Sequence, residues 1–169
     1  GAGMAVTSRD DLKNHPQCIH VADTTQALQD LAREHRSNLN IPVVGIAGSN
    51  GKTTTKELVT AVLQQRFRVH ATPGNFNNHI GLPLTILSTP PQTEILVLEM
   101  GSNHPGELMV LCEIGAPTSG LLTSLGKEHL EGFGSFEAVV EEEGALFDYL
   151  NVHQGTKFVL KDDALLAGR

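Results

Sequence analysis

The chain has 169 residues, 12 basic and 19 acidic side chains, a formal charge of −7, and 40% apolar against 18% charged residues. That length suits one domain of ordinary size with a short extension and needs no disulfide or metal staple, and the composition excludes wholesale disorder. The acidic balance excludes nonspecific binding to nucleic acid or an anionic membrane as the main task.

Residues 5–22 are polar and read as irregular. Asp23-Thr24-Thr25 then offers a cap for a helix whose Ala27, Leu28, Leu31, Ala32 and His35 share one face. After a polar break at 37–40, Pro42-Val43-Val44-Gly45-Ile46-Ala47 is a continuous apolar run, the mark of a strand buried on both sides. Gly48-Ser49-Asn50-Gly51 turns the chain into a helix over 52–65, with Leu58 and Val62, and Val59, Leu63 and Phe67, predicted to face inward. Short strands follow at 67–71 and 94–100. Asn103 can cap a helix with Pro105 in its first turn, running to Ile114. A strand at 120–125, a helix capped by Ser135 over 136–150 and a strand at 157–160 complete the order. Strands alternating with helices predict an α/β fold, a mostly parallel sheet with helices on both faces and ligands at the carboxyl ends of the strands.

Cys18 and Cys112 fit no metal or redox spacing and read as reduced thiols. No apolar run reaches the ~18 residues of a membrane span. Gly1-Ala2-Gly3-Met4 lacks the basic start and apolar core of a signal peptide. A cytoplasmic protein with no membrane or nucleic-acid partner is expected.

Four polar loops on the predicted ligand edge carry chemistry. Gly48-Ser49-Asn50-Gly51-Lys52-Thr53-Thr54 lies between a buried strand and an amphipathic helix, where glycines let backbone N–H groups point at phosphate oxygens and the helix start adds its positive end. Lys52 would reach the β- and γ-phosphates, and the Thr53 hydroxyl would bind Mg²⁺. The strict G-x-x-x-x-G-K-[ST] pattern is not met, since Ile46 stands five before Gly51. Glu99, ending a strand, can hold Mg²⁺ beside that loop. His129 follows another buried strand, and Thr72-Pro73-Gly74-Asn75-Phe76-Asn77-Asn78 follows a third.

Together these segments, with Thr55-Lys56-Glu57, His79-Ile80-Gly81-Leu82-Pro83-Leu84-Thr85, Leu98-Glu99-Met100-Gly101-Ser102-Asn103-His104-Pro105-Gly106-Glu107 and His129-Leu130-Glu131-Gly132-Phe133-Gly134-Ser135, resemble the ATP-dependent Mur ligases of bacterial peptidoglycan synthesis. The asparagine-rich and His-Pro-Gly-Glu segments point to the branch that joins D-alanyl-D-alanine to UDP-N-acetylmuramoyl-tripeptide. The resemblance implies the P-loop NTPase-like central domain of a three-domain enzyme, with 41–169 as the ATP-binding domain and 1–40 as the tail and linker of the domain before it. It implies ATP and Mg²⁺ as cofactors, those two substrates as partners of the whole enzyme, a monomer, and no ligation by these residues alone. The implied chemistry transfers the γ-phosphoryl of ATP to a carboxylate, giving an acyl phosphate that an amine then attacks.

Carried over residue by residue, Gly48, Ser49, Asn50, Gly51, Lys52, Thr53 and Thr54 bind the nucleotide, and Asn77 and Asn78 contact nucleotide or substrate. Lys52, Glu99 and His129 are catalytic; Thr53 and Glu99 hold one Mg²⁺, and His129 a second. The family places a carbamylated lysine followed by Gly-Glu where this chain has Glu143-Gly144-Ala145. Glu141 and Glu142 read as a solvated helix face. Glu143 shares the phase of Val139, Val140, Leu146 and Phe147, so it is expected to point inward and offer the second metal a carboxylate. The alternatives are a self-contained phosphate-loop kinase or NTPase, which leaves the asparagine and His129 segments unexplained, and a noncatalytic nucleotide-binding paralogue.

Overall fold

The computed structural model describes residues 3–126 and 133–160. Its elements run β1 (Ala5–Thr7), a 3-10 turn (Asp10–Leu12), β2 (Cys18–His20), α1 (Thr24–Ser37), β3 (Val43–Ala47), α2 (Lys52–Leu63), β4 (Val69–Ala71), α3 (Gly81–Leu87), β5 (Ile95–Glu99), α4 (Glu107–Gly115), β6 (Ser119–Leu122), α5 (Phe136–Val152) and β7 (Thr156–Phe158). The apolar run after Pro42 becomes β3, the middle of a five-stranded parallel sheet in the order β4-β5-β3-β6-β7. Side chains alternate across it, as a pleated strand requires. Val43 and Ala47 of β3 and Leu96 and Leu98 of β5 enter a large core with residues of α1, α3, α4 and α5. Ile46, Ile95 and Val97 enter a smaller core, packed against Val59 and Leu63 of α2. The sheet is thus covered on both faces, as expected for strands with almost no polar side chain. No helix among the described residues is long and apolar enough to cross a membrane.

Several local expectations change. The stretch read as irregular holds a two-stranded parallel ribbon, β1 with β2. Helix α3, seven residues long, is too short to show a period; its Pro83 occupies the first turn, where a missing N–H costs no bond. On α2 only Val59 and Leu63 face the sheet, while Leu58 and Val62 are 64% and 71% exposed, because one helix alone covers this face and spends a single stripe on it. Asp23 does cap α1, accepting from the amides of Thr25 and Gln26, yet the buried stripe is Gln29, Ala32 and Arg36, with Leu31 exposed. Helix α4 starts at Glu107 rather than after Asn103: Gly106, at φ 88°, is the cap, and the Glu107 carboxylate turns back to the amides of Asn103 (2.7 Å) and His104 (3.2 Å).

Helix α4 is also clamped at both ends by charges from elsewhere. Glu142, expected on a solvated face, is buried and accepts from the amides of Gly106 (2.6 Å) and Leu108 (2.7 Å). At the other end the buried Arg36 guanidinium donates to the carbonyls of Gly115 (2.8 Å) and Ala116 (2.9 Å). A carboxylate at the amino end and a cation at the carboxyl end both oppose the helix dipole, and each satisfies backbone groups that the helix leaves over. Cys112, inside the same helix, is sealed from water; burial, and then the charges of Glu142 and Glu113, push its thiol up to about 12.

Two outcomes follow for stability. Glu142→Gln should destabilise the fold by about 1–3 kcal/mol in urea denaturation, since it weakens two charge-assisted bonds in a buried place. Partial burial by itself would raise the Glu107 carboxyl, but the two amides and the His104 ring outweigh it and hold the group below its ordinary range. A depressed carboxyl contributes stability above its unfolded pKa and loses it as pH falls through the folded one. The advantage of the parent over Glu107→Gln should therefore be present at pH 6–7 and shrink as pH falls below the ordinary carboxyl range of about 4, read as midpoints in a pH series of thermal melts.

Candidate functional site

The register that sets Ile46 of β3 beside Glu99 of β5 brings both strands to the same carboxyl edge. The chain leaves β3 through Gly48, at φ 117°, and a Cβ there would stand 2.5 Å from the Thr123 hydroxyl and 2.8 Å from its amide. Only glycine fits between this loop and the segment after β6. That segment holds the loop in place: the Ser49 amide donates to the Ser124 carbonyl (2.8 Å), the Gly126 amide to the Ser49 hydroxyl (2.8 Å), and the Asn50 amide to the Ser124 hydroxyl (3.3 Å). Gly51, at φ 84°, caps α2. The first-turn amides of Lys52, Thr53 and Thr54 have no carbonyl partner inside the helix. The Lys52 ammonium donates to the carbonyls of Gly48 and of Ser49, the latter at 2.9 Å.

Glu99 faces the α2 side of the sheet and is 1% exposed. Its Oε1 accepts from the Thr53 hydroxyl (3.1 Å) and from the Asn77 side-chain amide (2.8 Å), and its own amide donates to the Thr72 hydroxyl (3.0 Å). Its buried Oε2 accepts no hydrogen bond among the described residues. Ser49, Asn50, Gly51, Lys52, Thr53, Thr54, Asn77 and Glu99, all marked from sequence, line one cavity of about 290 Å³ together with Asn75. Gly48 sits at its root. The first-turn amides of α2, a hydroxyl and a buried carboxylate at the end of a parallel strand form a pocket for an anion together with a hard cation.

Two marked residues turn elsewhere, and a third is not among the described residues. The Asn78 side-chain oxygen accepts from the amides of Ile80 (3.1 Å) and Gly81 (2.9 Å), so it shapes the start of α3, while its neighbour Asn77 turns to Glu99. Glu143 points inward as its phase predicts, but its Oε2 accepts from the Gly48 amide at 2.6 Å, at the root of the phosphate loop. His129 lies outside the described residues. Among the described residues no three His, Cys, Asp or Glu side chains converge as a metal cluster. One participant carries the family resemblance in sequence but is given no role there. Lys56 is 1% exposed, donates to the carbonyls of Thr72 (2.9 Å) and Gly74 (3.0 Å), and stands 3.7 Å from Glu99 Oε2. Its spacing of three from Thr53, which puts both on one helix face, was the available signal.

The family described as Mur ligase middle domain matches residues 46–168 of this chain. The chain belongs to that family. Among curated proteins it is 43% identical, over 98% of its length, to the UDP-N-acetylmuramoyl-tripeptide--D-alanyl-D-alanine ligase of Bacillus subtilis, and it spans 37% of that protein. Its fold superposes with a TM-score of 0.88 on MurF ligase from Thermotoga maritima in complex with ADP, at 37% identity over 96% of this chain and 38% of the other. MurF from Acinetobacter baumannii gives a TM-score of 0.87 at 30% identity, over 97% of this chain and 36% of the other. The chain thus spans about a third of the length of the curated relatives it matches.

In this Mur ligase middle domain the Asn77 side chain is boxed in by Gly101, whose added Cβ would stand 3.0 Å from Asn77 Nδ2. Gly101→Ala should therefore cost about 1–3 kcal/mol by crowding, and should cost less in an Asn77→Ala background, where the obstructing amide is gone. Equal costs in both backgrounds, read by urea denaturation, would contradict this placement.

Proposed function

We propose that this Mur ligase middle domain is the ATP-binding part of a ligase that joins D-alanyl-D-alanine to UDP-N-acetylmuramoyl-tripeptide. The observation that carries the reading is the Thr53 hydroxyl hydrogen-bonded to the buried Glu99 carboxylate at the mouth of the glycine loop. The amides at the head of α2 and Lys52 bind the nucleotide phosphates and oppose charge on the transferring phosphoryl group, a positioning and electrostatic task. Thr53 and Glu99 fit Mg²⁺: both offer hard oxygens, and Glu99 Oε2 is a buried acceptor without a hydrogen bond among the described residues. Held by Thr53 and Glu99, the ion would neutralise phosphate charge.

By the family resemblance, His129 and Glu143 are assigned to a second Mg²⁺, with one Glu143 oxygen engaged by Gly48. Asn77 acts at the nucleotide side through Glu99, and Asn78 shapes the neighbouring substrate face. Residues 1–40 form the tail of a preceding domain, with α1 docked on the middle domain through Ala32 and Arg36. The whole reaction is a phosphoryl transfer from ATP to the tripeptide carboxylate followed by attack of the dipeptide amine, in a cytoplasmic monomer. Residues 1–169 alone bind nucleotide without ligating.

Calorimetric titration with ADP, with and without Mg²⁺, tests the reading. Lys52→Ala should weaken binding about tenfold or more, the loss of one charge-assisted contact to phosphate. Glu99→Gln should keep metal-free binding and lose the gain that Mg²⁺ gives the parent. Parent-like binding in both variants would sink the proposal. Rapid ATP hydrolysis without acceptor would favour a self-contained NTPase instead.

A further inference from the structure

Lys56 has no task in the reading above, yet a fully buried lysine is costly unless something requires it. Its ammonium donates to the carbonyls of Thr72 and Gly74, pairs with the Glu57 carboxylate at 3.1 Å, and stands 3.7 Å from Glu99 Oε2. Three nearer oxygens match the three protons of an ammonium, so Lys56 faces Glu99 as a charge and leaves Oε2 without a hydrogen bond. The two carbonyls it holds begin the loop that delivers Asn77 to Glu99 Oε1. Lys56 therefore joins helix α2, which carries Thr53, to the loop after β4, which carries Asn75 and Asn77, across the carboxylate between them.

We propose that Lys56 is a positioning residue: it tethers the 72–78 loop so that Asn77 fixes one oxygen of Glu99 while the other stays presented to a divalent cation. Its positive charge also offsets the buried carboxylate, which makes the Glu99 site one for a cation accompanied by phosphate anions rather than for a bare ion. The inference rests on the assignment of Glu99 to Mg²⁺.

The test uses the chain as it is, with Mg²⁺ and ADP as probes. Lys56→Met keeps the volume of the stem and removes both tether and charge; Lys56→Gln keeps N–H donors for the two carbonyls and removes the charge alone, and serves if Met does not fold. Lys56→Met should raise the Mg²⁺ concentration needed for half-maximal ADP binding at least tenfold while changing metal-free ADP binding less than twofold. Amide exchange at Asn77 and Gly101, whose N–H donates to the Asn77 carbonyl at 2.8 Å, should accelerate without any ligand present. Adding Asn77→Ala to Lys56→Met should cost no more than the worse single change, since both act through one carboxylate.

Unchanged Mg²⁺ dependence with unchanged exchange would overturn the proposal, and so would equal losses of metal-free and Mg²⁺-dependent binding. A parent chain that binds ADP with no response to Mg²⁺ would instead remove the assignment of Glu99 on which it rests.

Discussion

A carboxylate buried at the end of a central strand is the constraint around which this molecule is arranged. Left alone, Glu99 would be expensive to take out of water, and paired too completely it could bind nothing further. The fold resolves this unequally for the two oxygens. One accepts from Thr53 and Asn77, and the other has a lysine charge nearby but no donor among the described residues. Thr53 and the lysine come from α2 and Asn77 from the loop after β4, so the carboxylate also fastens these two elements to β5.

The glycine loop meets a matching constraint from its other side. Gly48 is pressed against Thr123 so closely that no side chain is tolerated, its amide is taken by Glu143, and Ser49 and Asn50 are tied to Ser124 and Gly126. With these outward-turning groups satisfied, the amides at the head of α2 remain for an anion. Preorganisation of this kind lowers the ordering cost that a ligand must meet on binding. The same logic of distant charges meeting backbone ends recurs in α4, held by Glu142 at its start and Arg36 at its finish. That helix shares the large core with Leu98 and Met100, the two chain neighbours of Glu99.

Much of this was legible in the sequence because it is local. Apolar runs announce strands buried on both faces; Asp23 and Ser135 act as caps two or three residues from the amides they bind. The phosphate loop is contiguous, and its glycines are demanded by backbone angles within the loop. The errors were also local in origin. Leu58 and Val62 carry the right spacing for a buried stripe, but burial depends on what lies opposite, and nothing covers the outer side of α2 among the described residues. Glu141 and Glu142 look alike in a run of three acids, yet only one of them meets the start of α4.

What the sequence by itself determined is the order of strands and helices from α1 onward, α3 apart, the place of the glycine loop, and the side chains able to serve phosphate and metal. Only the tertiary structure decided which oxygen of Glu99 is engaged, that Asn77 rather than Asn78 reaches it, that Glu143 answers to Gly48, and that Lys56 is buried at the centre. Those decisions join residues 16 to 95 positions apart. Periodicity reports that a side chain turns inward, but the identity of the group it meets is set by how sheet and helices pack, and that packing is not a local property of the chain.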